Sequence, residues 1–373
     1  MFATTKLRLR QSVGIVTRRN SIEFFKANVR SSLALKMNSD GILEFMQKFN
    51  GFNDISTISK IYQGLPTQQI SNLAEKLVEN YILIEHDQDY PEEIRDENYR
   101  IINLLEDYFH KTSEVLASME KIKKSTVMII GLGAVGSYVS LYLAKIGIRS
   151  FILMDPDKVD ISNLHRQAFE EPDIGKHKTS QLNKKINSIN SDSVVLEITS
   201  PLHELFFNDF NLDKTPDLII NCADEPSVDF TSQIVSKYAM QKYIPHIVGG
   251  GYNLHLTLVG QTVIPYKTAC FRCFEMALEK INGNEFSGLR RLDRKTRKLG
   301  SFSPLSGMAA SLAAMDAFKL LAGAEKFLQQ SNRRVEFNVR QRKFNIIDIP
   351  QNPDCVWCGH QSTLQGLLTQ PCD

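Results

Sequence analysis

The spacing of apolar and polar positions changes near residue 125 and divides the chain into two parts. Beyond that point, short continuous apolar runs alternate with helical stretches, and they occur at 127–130, 151–154, 194–196 and 218–220. Continuous apolar runs of this length indicate strands that are buried on both faces of a sheet. Their alternation with helices predicts an α/β fold built on a doubly wound, mainly parallel sheet.

The first part of the chain follows a different pattern. Apolar Leu7 and Leu9 alternate with Arg8 and Arg10, which indicates an edge strand. Helical spacing follows at 40–49, 57–63 and 67–80, and an apolar run at 81–84 closes the segment. Two strands and three helices in so short a stretch predict a small winged-helix-like module.

The segment between the two parts predicts the domain boundaries. Residues 87–98 are acidic and polar, as in a linker, and residues 99–122 have the spacing of one amphipathic helix. We therefore expect three regions: a winged-helix-like module at 1–90, a linker and connector helix at 91–122, and a main domain at 123–373.

Composition narrows the classes of function. The 373 residues are 42% apolar and 23% charged, which excludes a mainly disordered chain. A net charge of +2 predicts no bulk attraction to nucleic acid or to an anionic membrane. No apolar run approaches 18 residues, so no membrane span is predicted. The first twenty residues are basic and lack acids, as in a transit peptide, but the strand interpretation is favoured and a cytoplasmic location is expected.

A glycine-rich segment follows the first buried run and opens a helix. Gly131, Gly133 and Gly136 form G-x-G-x-x-G, and Asp155 ends the next predicted strand. Glycines let the backbone approach a phosphate at a helix N-terminus, and an acid at the next strand suits a ribose. This predicts a Rossmann-like adenine nucleotide site, without separating NAD from ATP.

The residues that follow favour ATP over NAD. Arg166 and Lys178 come soon after Asp155, and Asp224 comes just after the run at 218–220. A dinucleotide needs no such cations, whereas the pyrophosphate that leaves a triphosphate must be neutralised. Asp224 should lie at the carboxyl end of the sheet, where a carboxylate beside a triphosphate binds Mg²⁺. Arg166 and Lys178 could instead be solvated surface charges.

Four of the six cysteines form two C-x-x-C pairs, which are Cys270, Cys273, Cys355 and Cys358. Four thiolates satisfy tetrahedral Zn²⁺ and leave no open position, so a structural zinc site is predicted. Sparse cysteine usage also fits a reducing compartment. Two independent redox dithiols remain the alternative, and Cys372 has no assigned role.

Taken in order, these motifs resemble the ThiF/MoeB/HesA adenylyltransferases, which are related to ubiquitin-activating enzymes. The series G-x-G-x-x-G, D-x-D, N-L-x-R-Q, G-x-x-K and C-x-D covers about residues 123–360. The segment 303–307 and the helical stretch 308–321 resemble the closing segment of that family. Ala134 is a departure, because most members carry a glycine there.

The resemblance implies a role for each matching residue. The three glycines would cradle the nucleotide, Asp155 would bind ribose, and Asp224 would bind Mg²⁺. The phosphates would be held by Asn163, Arg166 and Lys178. The nucleotide would also be bound by Asp157 and Gln167, which belong to the same motifs. Asp157 could equally be a turn residue. The family also uses an arginine from the partner subunit of a homodimer, for which Arg100 is the candidate.

The substrate is predicted from three further features. Residues 274–302 contain no cysteine, which disfavours a thioester intermediate. The same segment carries the basic residues Arg290, Arg291, Arg294, Lys295, Arg297 and Lys298, which indicate either a solvated loop or a clamp for an acidic peptide. The module at 1–90 resembles the recognition element of ribosomal-peptide-modifying enzymes, which captures a leader peptide as an added strand.

These features predict ATP-dependent adenylation of a carboxylate on a ribosomally made precursor peptide. The plan resembles peptide-modifying family members such as the microcin C adenylyltransferase and the pantocin A biosynthesis enzyme, which implies cyclisation or another modification in antibiotic biosynthesis. The activated group would be a Glu or Asp side chain or a C-terminus. The alternatives are activation of a sulfur carrier that ends in Gly-Gly, a non-catalytic scaffold that delivers a leader peptide, and a dehydrogenase.

Overall fold

The computed structural model of the chain describes residues 3–36, 41–210, 212, 214–249, 252–253, 256–285 and 300–364. It divides into two compact units, Met1–Glu120 and Lys121–Asp373. The basic residues of 290–298 and Cys372 lie outside the described residues, so the predictions made for them stay predictions.

The first unit contains two small antiparallel sheets and a set of short helices. Its elements are β1 (Lys6–Leu9), β2 (Val13–Arg18), β3 (Ser21–Lys26), β4 (Ser31–Lys36), α1 (Ile42–Met46), β5 (Asn50–Asp54), α2 (Ile55–Ile61), α3 (Thr67–Glu79), β6 (Leu83–Glu85), α4 (Glu92–Glu106) and α5 (Thr112–Lys124), the last of which crosses the unit boundary. One sheet has the order β5-β1-β6, and the other is the consecutive set β2-β3-β4.

Several sequence-based expectations for this unit are wrong. The described part of this unit has six strands rather than two, and β1 is the central strand of its sheet rather than an edge. The set β2-β3-β4 was missed because the apolar residues Val16 and Phe25 occupy exposed positions and break its alternation. The expected linker at 87–98 contains the start of α4, and the single helix expected at 99–122 is two helices, α4 and α5.

The helices of this unit nevertheless pack through the apolar faces that their spacing predicted. Helix α3 buries Ile70, Ala74 and Leu77, which recur on one face at helical spacing. Helix α2 is capped at its N-terminus by Asp54, whose carboxylate accepts a hydrogen bond from the backbone N–H of Thr57 at 2.7 Å. These faces share one apolar core with residues of β1 and β3.

Arg8 of β1 and Arg10, the residue that follows β1, have structural partners. Arg10 is buried, and its guanidinium donates to the carbonyl oxygens of Leu83 at 3.1 Å and Phe109 at 2.8 Å. Burial lowers the pKa of Arg10 to about 10. Arg8 forms an ion pair with the buried Glu106 of α4. The basic character of this strand therefore serves to join it to the segment that contains α4.

The second unit is built on strands that alternate with helices. Its elements are β7 (Thr126–Ile130), α6 (Gly136–Lys145), β8 (Ser150–Met154), α7 (Lys178–Ile189), β9 (Val194–Ile198), α8 (Phe206–Asp209), β10 (Leu218–Asn221), α9 (Val228–Gln241), β11 (His246–Val248), β12 (Tyr252–Asn253), β13 (Leu256–Val259), β14 (Gln261–Val263), α10 (Phe271–Glu285), α11 (Ser303–Ala322), β15 (Arg333–Asn338) and β16 (Lys343–Asp348).

The central sheet of this unit has the order β14-β11-β10-β7-β8-β9. All neighbouring strands are parallel except the pair β11 and β14. The chain moves outward from β7 through β8 to β9, then returns to the other side with β10, so β7 and β10 flank the switch point where such sheets bind ligands. The predicted α/β fold with a doubly wound, mainly parallel sheet is confirmed.

A second sheet of four antiparallel strands has the order β12-β13-β15-β16. Helix α11 is the one described helix that is long and apolar enough to cross a membrane, and 67% of its apolar stretch is buried within the protein. A core helix of a globular protein meets the same criteria. We therefore interpret α11 as a core helix.

Buried His246 on β11 predicts a pH dependence of stability. Its Nδ1 lies 3.2 Å from the carbonyl oxygen of Ile244, and its Nε2 has no hydrogen-bond partner. Burial lowers the pKa of His246 to about 4, against about 6.5 in an unfolded chain. The stability that comes from keeping the ring neutral is therefore present above pH 6.5 and is lost as the pH falls towards 4.

We expect this histidine to contribute about 2–3 kcal/mol to the loss of unfolding free energy between pH 7 and pH 4.5. Urea unfolding at the two pH values measures the loss, and the His246→Gln variant, which does not titrate, should lose less by that amount. Equal losses in the two proteins would contradict the assignment.

Candidate nucleotide site

The glycine loop after β7 packs directly on the loop after β10. Gly131 has φ +83°, and a Cβ atom there would lie 2.5 Å from the backbone nitrogen of Ala223. A Cβ atom on Gly136 would lie 1.9 Å from the carbonyl oxygen of Gly131. Both positions therefore require glycine, and the loop turns tightly into the N-terminus of α6. Gly133 differs, since only the Gln167 side chain comes near it, at 4.0 Å.

Asp155 organises this loop from the end of β8. It is buried, and its Oδ2 accepts a hydrogen bond from the backbone N–H of Leu132 at 2.6 Å. Its Oδ1 accepts one from the backbone N–H of Asp157 at 2.8 Å. Burial raises the pKa of Asp155, and the nearby Lys178 opposes that rise. Each carboxylate oxygen has a second lone pair, which leaves capacity for a ribose hydroxyl.

Lys178 brings a buried positive charge to the same place. It is the first residue of α7, and its Nζ lies 2.7 Å from Oδ2 of Asp157 and 3.5 Å from Oδ1 of Asp155. The Lys178 side chain is 6% exposed, so it is not a solvated surface charge. Asp157 is largely exposed and serves as its counter-ion. The structure thus brings Asp155, Asp157 and Lys178 together beside the glycine loop.

The loop that carries Asp224 is held by a buried asparagine. The side chain of Asn221 donates to the hydroxyls of Thr231 at 3.1 Å and Ser232 at 3.2 Å, and accepts from the backbone N–H of Ala223 at 3.2 Å. The Thr231 hydroxyl donates to the Ala223 carbonyl oxygen at 2.7 Å. Sequence reasoning missed the roles of Asn221 and Thr231; a polar residue ending a buried strand was the available signal.

Asp224 and Arg166 are placed on the two loops that flank this region. Asp224 is exposed just after β10, and Arg166 is half-buried after β8. The Arg166 guanidinium donates to the carbonyl oxygen of Ser162 at 2.6 Å. Among the residues that the structure describes, neither charge forms an ion pair. Both therefore remain available to a charged ligand.

The remaining predicted site residues are Asn163, Gln167 and Arg100, and they differ in burial and in what they contact. The Asn163 side chain accepts from the backbone N–H of Asp160 at 3.0 Å, so it holds its own turn. Gln167 is buried near Gly133, and its Oε1 has no hydrogen-bond partner. Arg100 is exposed on α4 of the first unit, with its guanidinium 5.3 Å from the ring centre of Tyr99. Its assignment to a partner's site remains a prediction.

The N-terminus of α11 contacts α6 and the segment that carries Arg166, which the sequence did not indicate. The hydroxyls of Tyr138 on α6 and Ser303 lie 3.2 Å apart. Buried Ser306 donates to the carbonyl oxygens of Ser303 at 3.0 Å and Arg166 at 3.4 Å. The segment that follows residue 300 therefore bounds the site on one side.

The four paired cysteines form a buried cluster away from this loop. Their Sγ atoms all lie within 4.8 Å of one another, and the separations are 3.9 Å for Cys270–Cys273, 3.5 Å for Cys270–Cys355 and 3.4 Å for Cys273–Cys358. Thiolates around tetrahedral Zn²⁺ lie about 3.8 Å apart. The second pair sits on a tight turn, since a Cβ atom on Gly359 would lie 2.2 Å from the Pro353 carbonyl oxygen. The cluster could hold zinc.

Comparison with known proteins places this architecture in a family. The ThiF family model matches residues 108–357. The molybdopterin-synthase adenylyltransferase of Escherichia coli (strain K12) is 29% identical over 244 residues, covering 64% of this chain and 89% of that protein. The sulfur carrier protein ThiS adenylyltransferase of the same organism is 28% identical over 211 residues, covering 56% of this chain and 77% of that protein.

A solved structure extends the fold comparison to nearly the whole chain. E. coli MccB, in its complex with AMPCPP and MccA, superimposes with a TM-score of 0.72 and 24% sequence identity. The match covers 95% of this chain and 99% of that chain. Together with the family match, these likenesses confirm the resemblance inferred from the motifs. The chain belongs to the ThiF family and is an adenylyltransferase of the ubiquitin-activating-enzyme type.

Proposed function

We propose that this chain binds ATP with Mg²⁺ at the glycine loop and adenylates a carboxylate of a ribosomally made precursor peptide. The observation that carries the nucleotide assignment is the buried Lys178, which lies between Asp155 and Asp157 beside the loop. A dinucleotide site has no need of a buried cation there, whereas a triphosphate does. The unpartnered Oε1 of buried Gln167 also fits a ligand against Gly133.

The chemistry needs positioning and charge stabilisation rather than a general base. A carboxylate is already ionised at neutral pH, and its oxygen would attack the α-phosphorus of ATP while pyrophosphate leaves. An acyl-adenylate would remain, ready for attack by an amine or amide. Lys178 and Arg166 would stabilise the charge that develops on the phosphates. The N–H groups at the start of α6 would orient the nucleotide.

Two metals have assigned places in this proposal. Asp224 is exposed and free of ion pairs among the described residues, so its carboxylate suits Mg²⁺, which would neutralise the β- and γ-phosphates. Cys270, Cys273, Cys355 and Cys358 would bind a structural Zn²⁺ that joins the segment at 355–358 to the start of α10. All four cysteines would act as ligands, so no position would remain for catalysis.

The substrate class is supported by the first unit. The family model begins at residue 108, so most of Met1–Glu120 lies outside it. The likeness to MccB covers that unit as well, and MccB is in complex with MccA in that structure. A module of small sheets, in which β2, β4 and β5 are outer strands, suits capture of an extended peptide. An acidic peptide and a homodimer that shares Arg100 remain parts of the proposal.

The experiment is pyrophosphate release by the full-length protein with ATP, Mg²⁺ and any short peptide found encoded beside its gene. We expect release that depends on the peptide, and formation of a peptide adenylate detected by mass spectrometry. A parallel reaction with a carrier protein ending in Gly-Gly is the control. Turnover with the carrier and none with the peptide would contradict the substrate class while leaving the adenylation site intact.

Activation of a sulfur carrier is the second candidate. The molybdopterin-synthase and ThiS adenylyltransferases are 28–29% identical to this chain, against 24% for MccB over a longer stretch, so both groups are similarly close. Those two matches cover only 56–64% of this chain, whereas the peptide hypothesis accounts for the first unit as well. The carrier reaction above distinguishes the two.

Thr231 provides a test of how the Asp224 loop is held. Thr231→Val keeps the shape of the side chain but leaves the Ala223 carbonyl oxygen and the Asn221 amide without that hydroxyl. We expect about a tenfold rise in KM for Mg·ATP, since the loop that carries the proposed magnesium ligand would loosen. Thr231→Ser keeps the hydroxyl and should restore the KM; an unchanged KM in the valine variant would show that this hydrogen bond does not position the loop.

A further inference from the structure

The outer strand of the four-stranded sheet, β16, is exposed on both faces. All six of its residues are solvent-exposed, although three are large and apolar: Phe344 is 44% exposed, Ile346 55% and Ile347 41%. Strand order places β15 on one side of β16, and no described strand pairs with the other side. Exposed apolar edge strands are templates for pairing with another chain.

The register shows which backbone groups point away from the sheet. Ile349 donates its N–H to the carbonyl oxygen of Asn332 at 2.8 Å, so this pair lies on the bonded side of the ladder. Residues alternate in an antiparallel pair, and the N–H and C=O of one residue point the same way. The backbone groups of Phe344, Ile346 and Asp348 therefore point to the free edge.

One face of the sheet is apolar both where it is buried, on β15, and where it is exposed, on β16. Ile346 is directly opposite Val335, and Phe344 is opposite Phe337, so each pair shares a face. Val335 is buried, and the ring centres of Phe337 and Phe344 lie 4.9 Å apart. One more strand with alternating apolar side chains would extend this face and cover Phe344 and Ile346.

The charged residues of the β15–β16 hairpin determine which kind of strand would be attracted to the edge of β16. The two acids of the hairpin are already paired, Asp348 with Arg333 at 3.2 Å and Glu336 with Arg334 at 2.7 Å. At the turn, Arg340, Arg342 and Lys343 are exposed and form no ion pair among the described residues. A second copy of β16 would bring the same excess of positive charge. An acidic strand would be attracted to it.

We propose that β16 binds an extended, acidic peptide segment as a fifth strand. The segment pairs with the outward backbone groups of Phe344 and Ile346 and places its carboxylates at the turn formed by residues 340–343. This site is separate from the glycine loop and requires no nucleotide, so it stands or fails independently of the proposed adenylation.

The test is fluorescence anisotropy of the full-length protein with a labelled synthetic peptide that alternates valine and threonine and ends in three glutamates. The matched probe ends in three lysines. We expect the acidic peptide to bind at least tenfold more tightly than the basic one. Equal binding of the two peptides, or binding of neither, would overturn the proposal.

Two sets of variants locate the binding. Ile346→Pro removes an outward N–H without breaking the β15–β16 ladder and should weaken binding at least tenfold, whereas Ile346→Ala keeps the N–H and should weaken it less. The double variant Arg340→Glu, Arg342→Glu should weaken binding about fivefold or more, and Lys184→Glu, an exposed lysine on α7, should not.

If Ile346→Pro does not fold, the test rests on the charge-reversed variant, because Arg340 and Arg342 are exposed and their replacement should not disturb folding. Binding that survives charge reversal would refute the assignment. So would light scattering that shows a dimer dissociated by Ile346→Pro, because β16 would then be an interface between two copies of this chain.

Discussion

Replacing Lys178 with alanine is expected to reduce the rate of substrate-dependent pyrophosphate release about 10²–10³-fold. One preorganised group that stabilises transition-state charge in a buried site contributes a factor of that size. In the proposed site Lys178 would be such a group, because it is buried and held by two carboxylates beside the glycine loop. We expect most of the loss in kcat, since the negative charge on the departing pyrophosphate develops during the reaction.

The pH profile of the same variant gives a second readout. Burial already raises the pKa of Asp155, and Lys178 partly offsets this. Without Lys178 the pKa of Asp155 should rise further, so the residual activity should fall off at a higher pH on the acid side. Lys184→Ala, an exposed position on the same helix, is the matched control. A variant at position 178 that retains full turnover would contradict the site.

Replacing one cysteine of the buried cluster is expected to remove the metal and destabilise the protein. Cys355→Ser should lower bound zinc from one equivalent towards none and reduce Tm by about 10 °C or more, because a structural zinc contributes its binding energy to folding. Elemental analysis and thermal unfolding measure the two effects.

Cys372 supplies the matched control for this substitution, because it is a cysteine of the same chain outside the two C-x-x-C pairs. Cys372→Ser should retain zinc and Tm. If Cys355→Ser kept the full metal content, or the native protein held no zinc while its thiols reacted as two dithiols, the structural zinc site would be wrong.

The parallel part of the second unit was predictable from sequence because its signals are local, whereas the sheet β12-β13-β15-β16 was not predicted. The buried parallel strands β7, β8 and β10 each appear as a continuous apolar run, and a glycine loop between a strand and a helix has few alternative structures. The expectation that the run at 194–196 is buried on both faces is wrong, because this run forms the edge strand β9, where Val194 is 70% exposed and Leu196 43%. The four cysteines were likewise recognisable by spacing. The structure adds burial, which excludes the interpretation of Lys178 as a solvated charge.

The remaining features depend on tertiary contacts that no local pattern carries. Asn221 and Thr231 meet because β10 and α9 are adjacent, and either residue alone is unremarkable in the sequence. The set β2-β3-β4 escaped prediction because its alternation is imperfect, with exposed Val16 and Phe25 among charged residues. Asp157 pairs with Lys178, and its backbone N–H donates to Asp155, so its direct role towards the nucleotide stays a prediction.

Calorimetric titration of the full-length protein with Mg·ATP tests the central claim most directly, because it needs no knowledge of the peptide. The account predicts micromolar binding of one ATP per site, binding weakened at least tenfold by Lys178→Ala, and no comparable heat with NAD. Binding of NAD in preference to ATP, or ATP affinity that is the same in the Lys178→Ala variant, would contradict it.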